Sequence, residues 1–316
     1  MIFERDFNNL TEDDIRLLTS YFDGYDYQSS GHTFIANYIW RNTHQITWEI
    51  IGEYLFLAGL GTTETEEGEY FMSFPLTRTG DYDSEELRRT ITIAKTRFEA
   101  AGKKFEFGLI PQSLVRVLKD AFGDEIEIEH TREDDDYIYL KDDLARLSGR
   151  KYHQKKNHLN FFKRNYRYTY EDISPEMADE IKAFIGRVND EKLEETPAGW
   201  QTILELETIA IDELLGFVGK GLLGGAIRID GKIEAVTMGE FARTDSKETV
   251  IVHVEKASSQ YRGLYQAINN EFCLSLPEET VYINREEDMG LENLRQTKLS
   301  YRPVRLAEKY TAVFKA

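Results

Sequence analysis

One order of elements, β-β-β-α-β-α-β, can be read twice along this chain, and few architectures accommodate a doubled pattern of that length. In the first half, residues 45–51 and 53–58 flank Gly52 and predict adjacent strands, with 69–76 a third. Residues 84–101 then predict a helix capped by Asp83 or Ser84 and closed by Gly102. A strand over 104–109, a helix over 111–122 with proline in its first turn, and strands over 124–130 and 137–141 follow. In the second half, strands 222–229 and 232–241 meet at an Asp230-Gly231 hairpin turn. Strand 249–255, helix 262–275, strand 280–284, helix 291–299 and strand 305–314 complete the repeat. The predicted class is α/β of the α+β kind. Its two tandem domains, 1–145 and 146–316, would each be a mixed, mostly antiparallel sheet flanked by helices.

Charge separates the halves. Residues 1–145 carry 30 acidic and 14 basic side chains (net -16), whereas 146–316 carry 27 and 25 (net -2), so the acidity belongs to the first half. No carboxylate lies between Asp143 and Glu171, a segment that holds eight cations. As a helix over 149–165 it places Tyr152, Leu159, Phe162 and Tyr166 on one face and Lys156, Lys163 and Arg167 on another. Two readings stand. Lys151, Lys155, Lys156 and Lys163 would neutralise the phosphates of a tRNA bound along 150–167, or the helix is a solvated connector paired with the acidic first half, for instance with 133–136.

The single cysteine, Cys273, excludes an intrachain disulfide and a cysteine-rich zinc site. His153 and His158, five apart, do not share a helix face as a metal pair would, so no metal is expected. No apolar run approaches the roughly 20 residues of a membrane span, and charges stand where a signal peptide would be apolar. A cytoplasmic protein without a membrane span is predicted.

The segment 250–272 is a β-branched run that breaks at Gln260-Tyr261-Arg262-Gly263 into an amphipathic helix, leaving the helix's free N–H groups at a strand end. This order resembles the pyrophosphate element of the GNAT acyltransferases. The resemblance implies a donor site over Glu255, Lys256, Tyr261, Arg262, Gly263, Leu264 and Tyr265. Tyr265 stands where the GNAT pattern has its second glycine, which argues for a donor other than acetyl-CoA or for a module that has lost the chemistry.

Further segments carry a closer resemblance: 147–158, Gly224-Gly225-Ala226-Ile227-Arg228, His253-Val254-Glu255-Lys256-Ala257, 261–269, 282–288 and 298–303. Together they resemble the bacterial family known as phosphatidylglycerol lysyltransferase C-terminal domain, or DUF2156, over nearly the whole chain. The resemblance implies tandem GNAT-like domains related to the Fem-type transferases, which use aminoacyl-tRNA. It implies an acyl-CoA or an aminoacyl-tRNA as co-substrate, with no tightly bound cofactor, and a small-molecule or peptide amine as acceptor.

Acyl transfer to an amine needs a base, donors for the oxyanion and an acid for the leaving group. The Glu286-Glu287-Asp288 cluster follows a strand and precedes a helix, at the end of the sheet where open α/β folds place their sites. Glu286 or Asp288 would be the base, amides of 254–256 the oxyanion donors and Tyr301 the acid. The alternative is that Asp288 caps the next helix and Glu286 pairs with Arg285 or Arg302. His253 is either a cleft-facing catalytic group or a satisfied core histidine. The transferase reading therefore stands beside that of a non-catalytic GNAT-like binding module.

Overall fold

The computed structural model describes residues 7–25, 28–60, 70–100, 102–193 and 198–315, the side chains of 192–203 excepted. Glu69, Ala101 and residues 1–6, on which three expectations partly rest, lie outside the described residues. Among the described residues the strands are β1 (Asn8–Asn9), β2 (Thr47–Ile51), β3 (Tyr54–Leu60), β4 (Tyr70–Ser73), β5 (Glu106–Pro111), β6 (Ile126–His130), β7 (Asp136–Leu140), β8 (Tyr168–Asp172), β9 (Leu223–Ile229), β10 (Lys232–Arg243), β11 (Ser246–Ala257), β12 (Tyr282–Asn284), β13 (Arg305–Ala307) and β14 (Lys309–Phe314).

They form two seven-stranded sheets, ordered β1-β2-β3-β4-β5-β14-β6 and β13-β7-β12-β11-β10-β9-β8. Each sheet has one parallel contact, β4 with β5 and β11 with β12, and is otherwise antiparallel. The sheets are therefore matched strand for strand, as the repeated order predicts. The hairpin turn also forms as expected, with positive φ at both Asp230 (51°) and Gly231 (82°).

The division at 145/146 does not separate the sheets. β7, from the first half, is inserted between β12 and β13, and β14, from the second half, between β5 and β6. Residues 305–314, expected as one strand, break at Glu308 and change sheets there. Asp136, first residue of β7, and Lys309, first residue of β14, meet at the crossing: the Lys309 ammonium donates to Asp136 at 2.7 Å, with both side chains buried. Ser30 donates to the same carboxylate from its amide (2.6 Å) and hydroxyl (3.0 Å), and the Asn284 amide adds a bond at 2.9 Å. Burial works against the Asp136 charge, but the Lys309 charge and the bonds from Lys309, Asn284 and Ser30 together hold the carboxyl below its usual range.

The apolar cores follow this exchange. One core runs from both faces of the first sheet to one face of the second, where Val236, Met238 and Val254 join Phe34, Phe184 and Phe217. Phe217, just after the helix Ala198–Leu215, meets Tyr38 edge-on at 5.2 Å and holds the helix Phe34–Trp40 against that segment. The other core fills the opposite face of the second sheet, beneath the helices Lys141–Arg146, His153–Asn165 and Leu264–Ser275. Lys141–Arg146 forms a helix that the sequence does not predict, and Leu147 (φ 44°) and Gly149 (φ 87°) break the chain after it. The basic α-helix begins at His153, later than expected, because Arg150–Tyr152 is a 3-10 turn.

Candidate functional site

β11 and β12 pair over three positions, ending at Ile251 with Asn284, and then part. β11 runs on to Ala257 while the other chain turns away, with Glu286 at φ 55°. The result is a fork at the carboxyl ends of two parallel strands. In the β10–β11 ladder, Met238 pairs with Val254 and Gly239 with Val252, so His253 is the extra residue of a bulge. That bulge re-aims the side chains that follow it. The turning segment is held from below by Lys298, whose ammonium donates to the carbonyls of Arg285 (2.7 Å), Glu286 (3.1 Å) and Glu287.

On the face toward the first half, His253 lies between two carboxylates, Nδ1 at 2.8 Å from Glu286 and Nε2 at 3.0 Å from Glu240. Thr33, the N-cap of the helix Phe34–Trp40, donates to the same Glu240 at 2.5 Å. Burial opposes the charged ring, of which 3% is exposed, but the bonds to Glu240 and Glu286 outweigh it and raise the imidazole to about 10. His253 is thus an imidazolium with both nitrogens donating, and the expectation of a catalytic histidine meets a ring with no free lone pair. Glu286 is on the fork as expected, held by that ring.

Asp288 does not fit the base role. Burial pushes its pKa up, but bonds from Arg295 (2.9 and 3.0 Å), Tyr137 (2.6 Å) and the Gly290 amide (3.0 Å) bring it down to about 2. Between Glu286 and Asp288 lies Glu287, the member of the cluster not expected as the base. Its carboxylate is 30% exposed and 3.8 Å from Lys309. Burial raises its pKa, the Lys309 charge pulls it down, and Glu286 and Asp136 push it up again, leaving it above the usual carboxylate range.

The helix-covered face is distinct. Glu255 accepts from Arg285 (2.8 Å) and Asn269 (3.1 Å), bridging the fork with side chains where backbone pairing has ended. The Tyr301 hydroxyl, pushed up to about 12 by burial, accepts from Gln266 at 3.3 Å. Tyr301 belongs to this face and Glu286 to the other, so the expected acid and base are not brought together. Lys155 points inward, its ammonium 4.2 Å from the Tyr301 ring centre.

The other expected positions divide in the same way. Lys256 donates to Glu207 (2.6 Å) and Asn189 (3.4 Å). Arg262 is exposed, 4.7 Å over Phe161, and Tyr261 meets Tyr166 edge-on. Gly263 is the N-cap of the helix Leu264–Ser275 at φ 90°, set so closely against the His158 carbonyl that a Cβ would collide with it. Leu264 is buried, and the Tyr265 phenol reaches the backbone of Ala257. Lys151 pairs with Asp143 (3.0 Å) and Lys163 with Glu271 (2.8 Å), while Lys156 is exposed. Of the four lysines assigned to tRNA, Lys151, Lys156 and Lys163 are exposed, the first and last in ion pairs at the surface, and Lys155 is half-buried.

Residues 22–313 match the family described as phosphatidylglycerol lysyltransferase, C-terminal. The chain belongs to this family. A conserved protein of unknown function from Bacteroides thetaiotaomicron is 30% identical, with a TM-score of 0.81 over 98% of this chain and 99% of that one. L-PGS from Bacillus licheniformis shares the fold at 14% identity, with a TM-score of 0.66 over 99% and 94% of the two chains. FemX shares it at 9% identity, with a TM-score of 0.62 over 98% and 97%. An uncharacterized protein of Mycoplasmoides gallisepticum is 24% identical over 193 residues, 59% of this chain and 58% of its own length. The chain thus spans under two thirds of that curated relative. Among the described residues, no helix of this family member is long and apolar enough to cross a membrane.

Proposed function

We propose that this family member is an aminoacyltransferase, carrying an aminoacyl group from the ester of an aminoacyl-tRNA to an amine at the β11–β12 fork. Family membership supplies the class of transferred group, and Glu287 is the observation that carries the reading to this site. A partly exposed carboxylate with a raised pKa, on a segment fixed through its carbonyls by Lys298, suits a general base. The amine nitrogen attacks the ester carbonyl carbon, the C–N bond forms and the ester C–O bond to the ribose breaks. Glu287 accepts the proton the nitrogen sheds and passes it to the departing ribose oxygen, so that the carboxylate is regenerated.

An acyl-CoA donor fits less well. The fork is bridged by Arg285–Glu255 and His253–Glu286, and Tyr265 occupies the close approach beneath the helix start. The alternative of a binding module without transfer rests on those same bridges. The test is label transfer from radiolabelled aminoacyl-tRNA to a panel of small-molecule and peptide amines, by the wild type and by Glu287→Gln. A fall of about 10²–10⁴-fold with the fold intact is expected. Equal rates would remove Glu287 from the chemistry, and aminoacyl-tRNA binding without transfer in either protein would favour the module.

A further inference from the structure

On the helix-covered face the charges do not balance. Arg285 and Lys155 bring two positive charges to the Tyr301 ring, at 5.0 and 4.2 Å from its centre, and Glu255 supplies the carboxylate hydrogen-bonded there. Glu255 is already committed to Nη2 of Arg285 and to Asn269, and Nη1 of Arg285 is enclosed without a hydrogen-bond partner among the described residues. Leaving a buried guanidinium N–H unmade is costly, so such a group marks a place where an acceptor belongs. Lys155 makes no ion pair among the described residues and is half-buried, with Glu255 the carboxylate that acts on it from a distance. Burial, and after it the Arg285 charge, depress its pKa. Gln266, partly exposed beside the Tyr301 hydroxyl, adds a further amide at the rim.

We infer that Arg285 and Lys155, laid on the Tyr301 ring, form a binding site for a phosphate group. An arginine fork with one arm free and a lysine point charge are complementary to a tetrahedral oxyanion with several acceptor atoms. The site lies behind the fork, across the sheet from Glu287, and its presence does not depend on transfer. It rests on the transferase reading only for the phosphate's owner, which would be the donor's terminal nucleotide.

The experiment uses the whole chain and inorganic phosphate, with chloride at matched ionic strength as the control for screening. The melting temperature of the wild type should rise with phosphate over the millimolar range, following saturation of one site. Lys155→Gln should weaken the apparent Kd at least about tenfold, the loss of one charge-assisted contact, while Lys163→Gln, whose partner is Glu271, should respond as the wild type does. AMP should compete if the owner is a nucleotide, and phosphate binding without AMP binding would restrict the site to the free anion. Because Arg285→Lys could fail to fold, Lys155→Gln decides the matter. A wild type that responds equally to phosphate and chloride, or a Lys155→Gln variant as responsive as the wild type, would overturn the site. Phosphate binding in a protein that transfers nothing would instead leave the site standing and remove the transferase reading.

Discussion

His253 ties the candidate site to stability. Its folded pKa of about 10 lies above the ordinary 6.5, so the stability it contributes is fully present below pH 6.5 and is lost as pH rises toward 10. The shift corresponds to something on the order of 5 kcal/mol across that window. Urea unfolding at several pH values should show the wild type weakening over this range and His253→Gln with a flatter profile; parallel profiles would mean that the ring is neutral. Gly263 makes a second point at the same scale. Ala there would have to adopt φ 90° and meet the His158 carbonyl, so Gly263→Ala should cost about 2–4 kcal/mol, read as a lower melting temperature. An unchanged melting temperature would show that the helix over 153–165 gives way.

At the scale of elements, β14 is the sensitive one, since it sits between β5 and β6. Its Ala312 pairs with Phe107 on one side and Ile128 on the other and is buried. Ala312→Glu should cost at least about 3 kcal/mol by urea unfolding, because it buries an unpaired charge. A loss under 1 kcal/mol would place β14 at an edge. Most elements were legible in the sequence: the pattern predicts helices over 84–101 and 262–275, which form over 84–100 and 264–275, and Asp-Gly predicts the hairpin at 230–231. What was not legible is partnership. Nothing local in 305–314 distinguishes one strand from two that join different sheets, since a break at Glu308 depends on what Asp136 and Ser30 offer from more than 170 residues away. The candidate site has the same history. The cluster at 286–288 was visible as carboxylates at a strand end, but only the surrounding Arg295, His253 and Lys309 decide which of the three is left to accept a proton.

For the whole molecule, the exchange of β7 and β14 makes the halves one folding unit. A single transition is expected by calorimetry and by denaturant, and fragments 1–145 and 146–316 should not fold apart, since each lacks a strand internal to its sheet. Two resolved transitions would contradict this. Lys309→Met should destabilise by about 3–5 kcal/mol by leaving Asp136 buried and unpaired, and adding Asp136→Asn should recover part of the loss. The central claim, that the fork of the second sheet receives an aminoacyl ester, is tested most directly by single-turnover label transfer to an amine panel from bulk radiolabelled aminoacyl-tRNA and, in parallel, from radiolabelled acetyl-CoA. The account predicts enzyme-dependent transfer from the tRNA and none from acetyl-CoA; transfer from acetyl-CoA alone would contradict it.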